Sequence, residues 1–326
     1  MNNHWRRLLT RVRLVRPAHT EAPEQPLGIK PNKPASRSGF RLRFGDGWTA
    51  GLFLAPSLLG FSVFFLIPFG IGFTYSLKDA PIDGSFVGLS NYTELLGNEV
   101  FRRAALNTLL FTSVSVPLNM LLSLLLAMML NRGIYMRNWF RIGFLAPLVI
   151  PVASVVLVWQ VLFDLNGSLN GWLGALGYEP KDWMESGMAF WVVVVVYLWK
   201  NVGYNMVLFL AGLQNIPADY YEAASIDGAG RFRKWRSITI VCLTPTSFFV
   251  FIMSIINSFK VFRETYMIAG EYPQERIYML QHYMNNMFKS LDYQKLTSAA
   301  FLMAVVIVAL VFVLFRVERR FAKSLG

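Results

Sequence analysis

The chain has 326 residues, of which 55% are hydrophobic, 15% aromatic and only 15% charged, with a net charge of +12. Mean hydropathy is +0.43, whereas a soluble domain carries about 25% charged residues. The composition therefore excludes an ordinary water-soluble fold and makes lipid the solvent for most of the chain. The basic residues lie in short clusters beside apolar runs and form no nucleic-acid motif, so DNA and RNA are excluded as partners.

Met1–Gly45 is polar, Pro-containing and strongly basic, with no apolar core of the length a secretory signal needs. It reads as a cytosolic tail that anchors orientation, and HWRRLLTRVRLV also reads as an amphipathic helix for anionic lipid. Six apolar segments follow, near Thr49–Leu77, Asn107–Leu130, Ile142–Phe163, Phe190–Leu213, Thr239–Phe259 and Thr297–Phe315. Each approaches the ~20 residues that cross a bilayer as a helix. Pro68, Pro117, Pro147, Pro151, Gly203 and Pro245 lie inside them. Membrane helices tolerate such residues where neighbours answer the freed backbone groups. The expected fold class is thus all-α, a polytopic membrane protein with six transmembrane helices. Its parts are a basic tail over residues 1–46, a membrane domain over 47–316 and a basic C-terminal tail over 317–326.

Lys and Arg set the expected orientation. The N-terminal tail is basic; so are NRGIYMRNWFR with Arg132, Arg137 and Arg141, the stretch with Arg231, Arg233, Lys234 and Arg236, and the end with Arg316, Arg319, Arg320 and Lys323. The intervening loops hold less base or more acid, as with Lys181 against Asp164, Glu179, Asp182 and Glu185. Six spans with both termini in the cytosol account for this alternation. Cys242 is the sole cysteine, so no internal disulfide forms. The histidines (His4, His19, His282) lack metal-ligand spacing, and no metal site is expected.

Between the fourth and fifth spans lies YYEAASIDGAG, followed by RFRKWR. Pro217-Ala218-Asp219 starts a short helix, with Asp219 at its positive end. Tyr221, Ala224 and Ser225 share one face of that helix, Asp227-Gly228 is a turn signal, and a second short helix begins near Arg231. The small side chains of Ala223, Ala224, Gly228, Ala229 and Gly230 suit close docking to a partner, although an Ala-rich connecting loop is the plainer alternative.

EAASIDGAG with RFRKWRSITI and Pro245 resembles the signature loop of the permease subunits of bacterial binding-protein-dependent ABC importers. The longer string FLAGLQNIPADYYEAASIDGAGRFRKWRSIT is similar to the carbohydrate branch, which includes the maltose permease. FVGLSNY, LNTLLFTSVSVPL, the Pro147/Pro151 pair, LNGSLN and RVERRF extend the likeness over Phe86 to Arg320. The chain departs from the family where Ile240-Val241 replaces a Leu-Pro pair and where Gly270-Glu271-Tyr272-Pro273 replaces Gly-Gly-Pro.

The resemblance implies a type I ABC importer permease fold in the bacterial cytoplasmic membrane. It implies that the coupling loop, near residues 215–237, docks on a separate ATPase through Glu222, Ala223, Ala224, Asp227 and Gly228. ATP and Mg would bind that ATPase; no cofactor is expected in this chain, and no G-x-x-x-x-G-K-[ST] occurs in it. The implied partners are a second, related but different permease, two ATPase subunits and a periplasmic or surface solute-binding protein. The chain is not itself an enzyme.

Substrate sites of transporters lie near the bilayer midplane. The resemblance places Tyr197, Asn201, Tyr204, Asn257 and Lys260 at an oligosaccharide site, with lipid or helix packing as the alternative for each aromatic. Lys200, Lys260 and Arg263 are intramembrane or near-membrane cations, and no carboxylate within the spans is expected to answer them. That favours an acidic cargo such as a uronate (alginate-type) oligosaccharide, or a sugar or glycerol phosphate. A neutral sugar stays open, because a Trp-Lys pair like Trp199-Lys200 also occurs in permeases for neutral sugars. A peptide, polyamine or metal cargo leaves the carbohydrate-branch strings unexplained. An ion-coupled carrier lacks a mid-span carboxylate or His, and a membrane scaffold leaves the polar and aromatic cluster of two spans without a role.

Overall fold

A computed structural model describes residues 44–132 and 135–325. The basic tail expected over 1–46 lies, up to residue 43, outside the described residues. The chain divides into two units at Gly60. The first contributes most of helix α1 (Phe44–Phe61). From Phe61 onward, a π-helical turn (Ser62–Leu66) leads into α2 (Ile67–Ser76). Pro68 follows this π-helical turn inside a continuous helical run, and such a local widening is one way a helix adjusts to a proline that lacks an N–H.

The next elements are α3 (Ser90–Gly97) and α4 (Glu99–Asn131). Helix α4 begins several residues before the expected second span, because the Asn98 side chain caps it by accepting from the Phe101 amide at 3.0 Å. The expected third span, Ile142–Phe163, is not one continuous helix. It is α5 (Arg137–Val149) and α6 (Val152–Phe163), separated at Ile150-Pro151. Proline disfavours the helical region for the residue before it, and here Ile150 is extended at φ −69°, ψ 132°. Pro147 stays within α5. Helix α7 (Ser168–Ala175) follows. Its Asn170, from LNGSLN, donates to the carbonyls of Leu165 (2.9 Å) and Lys181 (2.8 Å) and accepts from Trp183 Nε1 (3.1 Å).

Helix α8 (Ala189–Gln214) is the axle of the second unit and packs on α4, α5 and α11 (Ile240–Phe259). Within its most apolar stretch 56% is buried, against 11% for the last span. Phe111 of α4 meets Phe190 and Tyr197 of α8 edge-on, and Met206, Phe209 and Leu210 of α8 form a second core with Ala127 and Leu243. Between these clusters runs a polar seam. Asn205 Nδ2 donates to Asn119 Oδ1 at 2.8 Å and to Ser254 Oγ at 2.7 Å, so one amide joins α8 to α4 and α11. Interhelical hydrogen bonds of this kind drive association where the hydrophobic effect is absent. At Gly203 the α8 backbone meets α5 so closely that a Cβ would collide with the Phe144 carbonyl.

Helix α9 (Ala218–Ile226), the short α10 (Arg231–Lys234) and a π-helical turn (Trp235–Thr239) link α8 to α11. Then come α12 (Phe262–Ala269), α13 (Leu280–Lys289) and α14 (Tyr293–Leu325). Six helical segments among the described residues are long and apolar enough to cross a membrane.

Candidate functional site

Two sites emerge, a cavity beside α8 and a loop at its far end. Tyr197, Lys200, Asn201 and Tyr204 follow i, i+3, i+4, i+7 spacing and so share one face of α8. Asn257 and Lys260 sit one turn apart at the end of α11. The break between α5 and α6 supplies Leu148–Val152 as a further wall, and Arg263 and Glu264 come from α12. Together these line a cavity of about 400 Å³.

Of the five residues expected at a substrate site, Tyr197, Asn201, Asn257 and Lys260 line this cavity, and Tyr204 is not among its lining residues. Tyr197 is 1% exposed, and its hydroxyl donates to the Ser254 carbonyl at 2.9 Å, so it forms wall rather than a free hydrogen-bonding group. Asn201 is buried and donates to the Tyr197 carbonyl at 2.9 Å. Asn257 Oδ1 accepts from Lys260 Nζ at 3.3 Å. Lys260 and Arg263 are exposed and form no ion pair among the described residues.

Lys200 corrects the expectation that no carboxylate answers the buried cations. Its ammonium pairs with Glu264 Oε1, joining α8 to α12. Glu264 follows the end of α11 in sequence, which made it a flanking residue on paper. The turn at Lys260–Val261 folds α12 back against the cavity and buries the carboxylate to 3% exposure. The sequence signal for it was present only as a cation and a carboxylate at the edges of adjacent spans.

The loop after α8 is a helix, turn and helix. Helix α9 closes with two bonds, Ala229 N–H to Ala224 O at 2.8 Å and Gly228 N–H to Ser225 O at 3.1 Å. These form a Schellman motif, which needs a left-handed residue, and Gly228 supplies φ +74°. The Tyr221 hydroxyl meets Thr239 Oγ1 at 2.9 Å, and Lys234 Nζ donates to Ser225 Oγ, so α9 is pinned to the entry of α11. Glu222, Ala223, Asp227 and Gly228 are exposed, and Ala224 is half-buried. Glu222 and Asp227 have no ion-pair partner among the described residues. Ile226 is 87% and Phe232 70% exposed beside them. The loop therefore offers unanswered carboxylates and apolar side chains on a rigid frame.

Among the described residues no group of His, Cys, Asp and Glu has the arrangement of a metal site. His282 is fully buried beside Phe262 and Tyr278, and burial pushes its pKa down to about 4. It stays neutral at ordinary pH and is packing, not a proton carrier.

Residues 119–326 match the family described as binding-protein-dependent transport system inner membrane component. The chain belongs to that family. It is 38% identical over 240 residues to the arabinooligosaccharides transport system permease protein AraP of Bacillus subtilis, covering 72% of this chain and 76% of that one. It is 32% identical over 226 residues to the sn-glycerol-3-phosphate transport system permease protein UgpA of Yersinia enterocolitica, covering 68% and 77%. To the trehalose/maltose transport system permease protein MalF of Thermococcus litoralis it is 33% identical, covering 72% and 81%. Its fold matches a chain in the crystal structure of a bacterial ABC transporter involved in the import of the acidic polysaccharide alginate, with a TM-score of 0.74, 22% identity and coverage of 85% and 96%. This permease is thus a multi-pass inner-membrane protein of the carbohydrate branch of ABC importers. It is a non-catalytic subunit, and its ATPase is a separate chain. Permeases of this kind pair with another permease and with ATPases.

Proposed function

We propose that this permease carries an acidic oligosaccharide of the alginate type into the cell by ATP-driven alternating access, through the cavity beside α8. The observation that carries the reading is the pair Lys260 and Arg263, cations that line the cavity without any carboxylate partner among the described residues. Cations held near a membrane interior are costly unless an anion answers them, and an anionic cargo does so in transit. Asn257 and Asn201 add amide groups suited to sugar hydroxyls. The alginate importer that shares the fold has an acidic cargo by its description, which is consistent with this reading. The relative named for arabinooligosaccharides favours a second reading, a neutral oligosaccharide, and the relatives named for glycerol phosphate keep a small anion in view.

In this scheme both termini and the loop after α8 lie in the cytosol. Glu222, Ala223, Ala224, Asp227 and Gly228 enter a groove on the ATPase, and Glu222 pairs with a base there. A charge-assisted hydrogen bond suits a joint that transmits force. The transmembrane core is a dimer with a second, related but different permease. Two ATPase subunits bind ATP and Mg, and a solute-binding protein delivers the cargo.

The test is uptake into proteoliposomes holding the whole complex, offered a mannuronate trisaccharide and maltotriose side by side. ATP-dependent uptake of the uronate is expected. Lys260→Ala should lower its uptake about tenfold, the scale of one lost charged hydrogen bond, and spare any residual maltotriose uptake. Transport of maltotriose alone, or equal losses for both sugars, would remove the acidic cargo.

A further inference from the structure

The Lys200–Glu264 pair has no part in the charge argument, because the two ions cancel. It is nevertheless an expensive feature. Glu264 is 3% exposed and Lys200 20%, and both line the cavity. Glu264 spends Oε1 on the Lys200 ammonium, while Oε2 is buried with no hydrogen-bond partner. Lys200 has three N–H donors and spends one. A buried ion pair that only holds helices together is matched or bettered by packed apolar side chains. A buried carboxylate oxygen left unanswered adds a further desolvation penalty. The pair is therefore poorly explained as a staple between α8 and α12.

We propose that Lys200 and Glu264 together read two neighbouring oxygens of the sugar: Lys200 donates to one, and Glu264 Oε2 accepts the proton of the adjacent hydroxyl. This rests on the reading of the cavity as the sugar site. The terminal torsion of a glutamate is soft and the lysine stem is flexible, so a small turn of the carboxylate brings Oε2 toward a ligand while the ammonium follows Oε1. Being jointly neutral, the pair selects hydroxyls without selecting charge. Lys260 and Arg263, on the side of the cavity formed by the end of α11 and the start of α12, are left to take an anionic group. The cavity thus has a hydroxyl-reading part and an anion-reading part. Its cargo presents vicinal oxygens and a carboxylate or phosphate on one molecule.

The test uses the assembled complex in proteoliposomes, with arabinotriose, maltotriose, a mannuronate trisaccharide and glycerol 3-phosphate as probes. The double variant Lys200→Met/Glu264→Leu removes both charges and refills the space. It should assemble and unfold near the wild-type temperature, yet raise KM for the transported probe by about tenfold or more. Glu264→Gln decides the matter if the double variant fails to assemble. It keeps the volume and an oxygen for Lys200 but turns the unpartnered acceptor into a donor, and the same rise in KM is expected. Wild-type KM in either variant overturns the proposal and leaves the pair a structural staple. Asn257→Ala separates the two claims. A raised KM there with a silent double variant sinks only the hydroxyl reader, whereas silence in all of these variants sinks the cavity as the sugar site and the pair with it.

Discussion

Gly203 shows how a single residue sets the geometry of the cavity. It faces α5, and any Cβ would fall on the Phe144 carbonyl, so the α8 backbone can approach only through glycine. That approach places the α5–α6 break, Leu148–Val152, against Lys200 and Asn201. Gly203→Ala cannot be relieved by a side-chain rotation, since the obstacle is backbone. It should cost ~1–3 kcal/mol, the usual range for overpacking, read as a fall of several degrees in unfolding temperature in detergent. An unchanged temperature would mean that α5 does not press on α8 there. Sequence alone marked Gly203 only as a possible helix breaker, because a close approach is a property of two segments. Glu264 escaped for the same reason. Its partner, Lys200, is 64 residues away in sequence, and nothing local distinguishes a buried carboxylate from one at the membrane edge. Tyr197, Asn201, Asn257 and Lys260 came to notice through the resemblance to sugar permeases and not through any local pattern; all four line the cavity, and burial makes Tyr197 a wall.

At the scale of elements, the loop after α8 was readable because its signals are local. Proline and Asp219 open α9, and a left-handed glycine closes it, all within a dozen residues. The third span was misread because its apolar run is unbroken, while the Ile150-Pro151 break depends on one dihedral preference. Gly228 gives this loop a clean experiment. A Cβ at Gly228 would meet nothing within 4 Å, so its glycine answers to conformation and not to space. Gly228→Ala and Gly228→Trp pay the same left-handed penalty, about 1–2 kcal/mol. Within this chain both side chains point into open room, so a difference between them reports on a partner. Gly228→Ala should keep most ATP-driven uptake, and Gly228→Trp should abolish it while the complex still hydrolyses ATP. Full uptake by Gly228→Trp would show that the loop does not enter a groove on the ATPase.

For the whole molecule, the question is whether this chain can move anything by itself. Proton-coupled carriers use a titratable group that exchanges protons inside the membrane. Here the buried carboxylate, Glu264, is held by Lys200, and His282 is kept neutral down to about pH 4. The polar seam of Asn119, Asn205 and Ser254 contains amides and a hydroxyl, none of which titrates. Among the described residues, the unit from Phe61 onward therefore has a polar interior whose buried carboxylate is ion-paired. Its unanswered carboxylates with exposed apolar neighbours lie at the loop after α8, where Glu222, Asp227, Ile226 and Phe232 await something outside the chain. A motor supplied by another subunit fits that distribution, and an internal one does not. Liposomes holding this chain alone should show no sugar uptake under a proton or sodium gradient. Uptake should appear only when the second permease, the ATPase, the binding protein and ATP are all present. Gradient-driven uptake by the lone chain would overturn the coupling role of the loop.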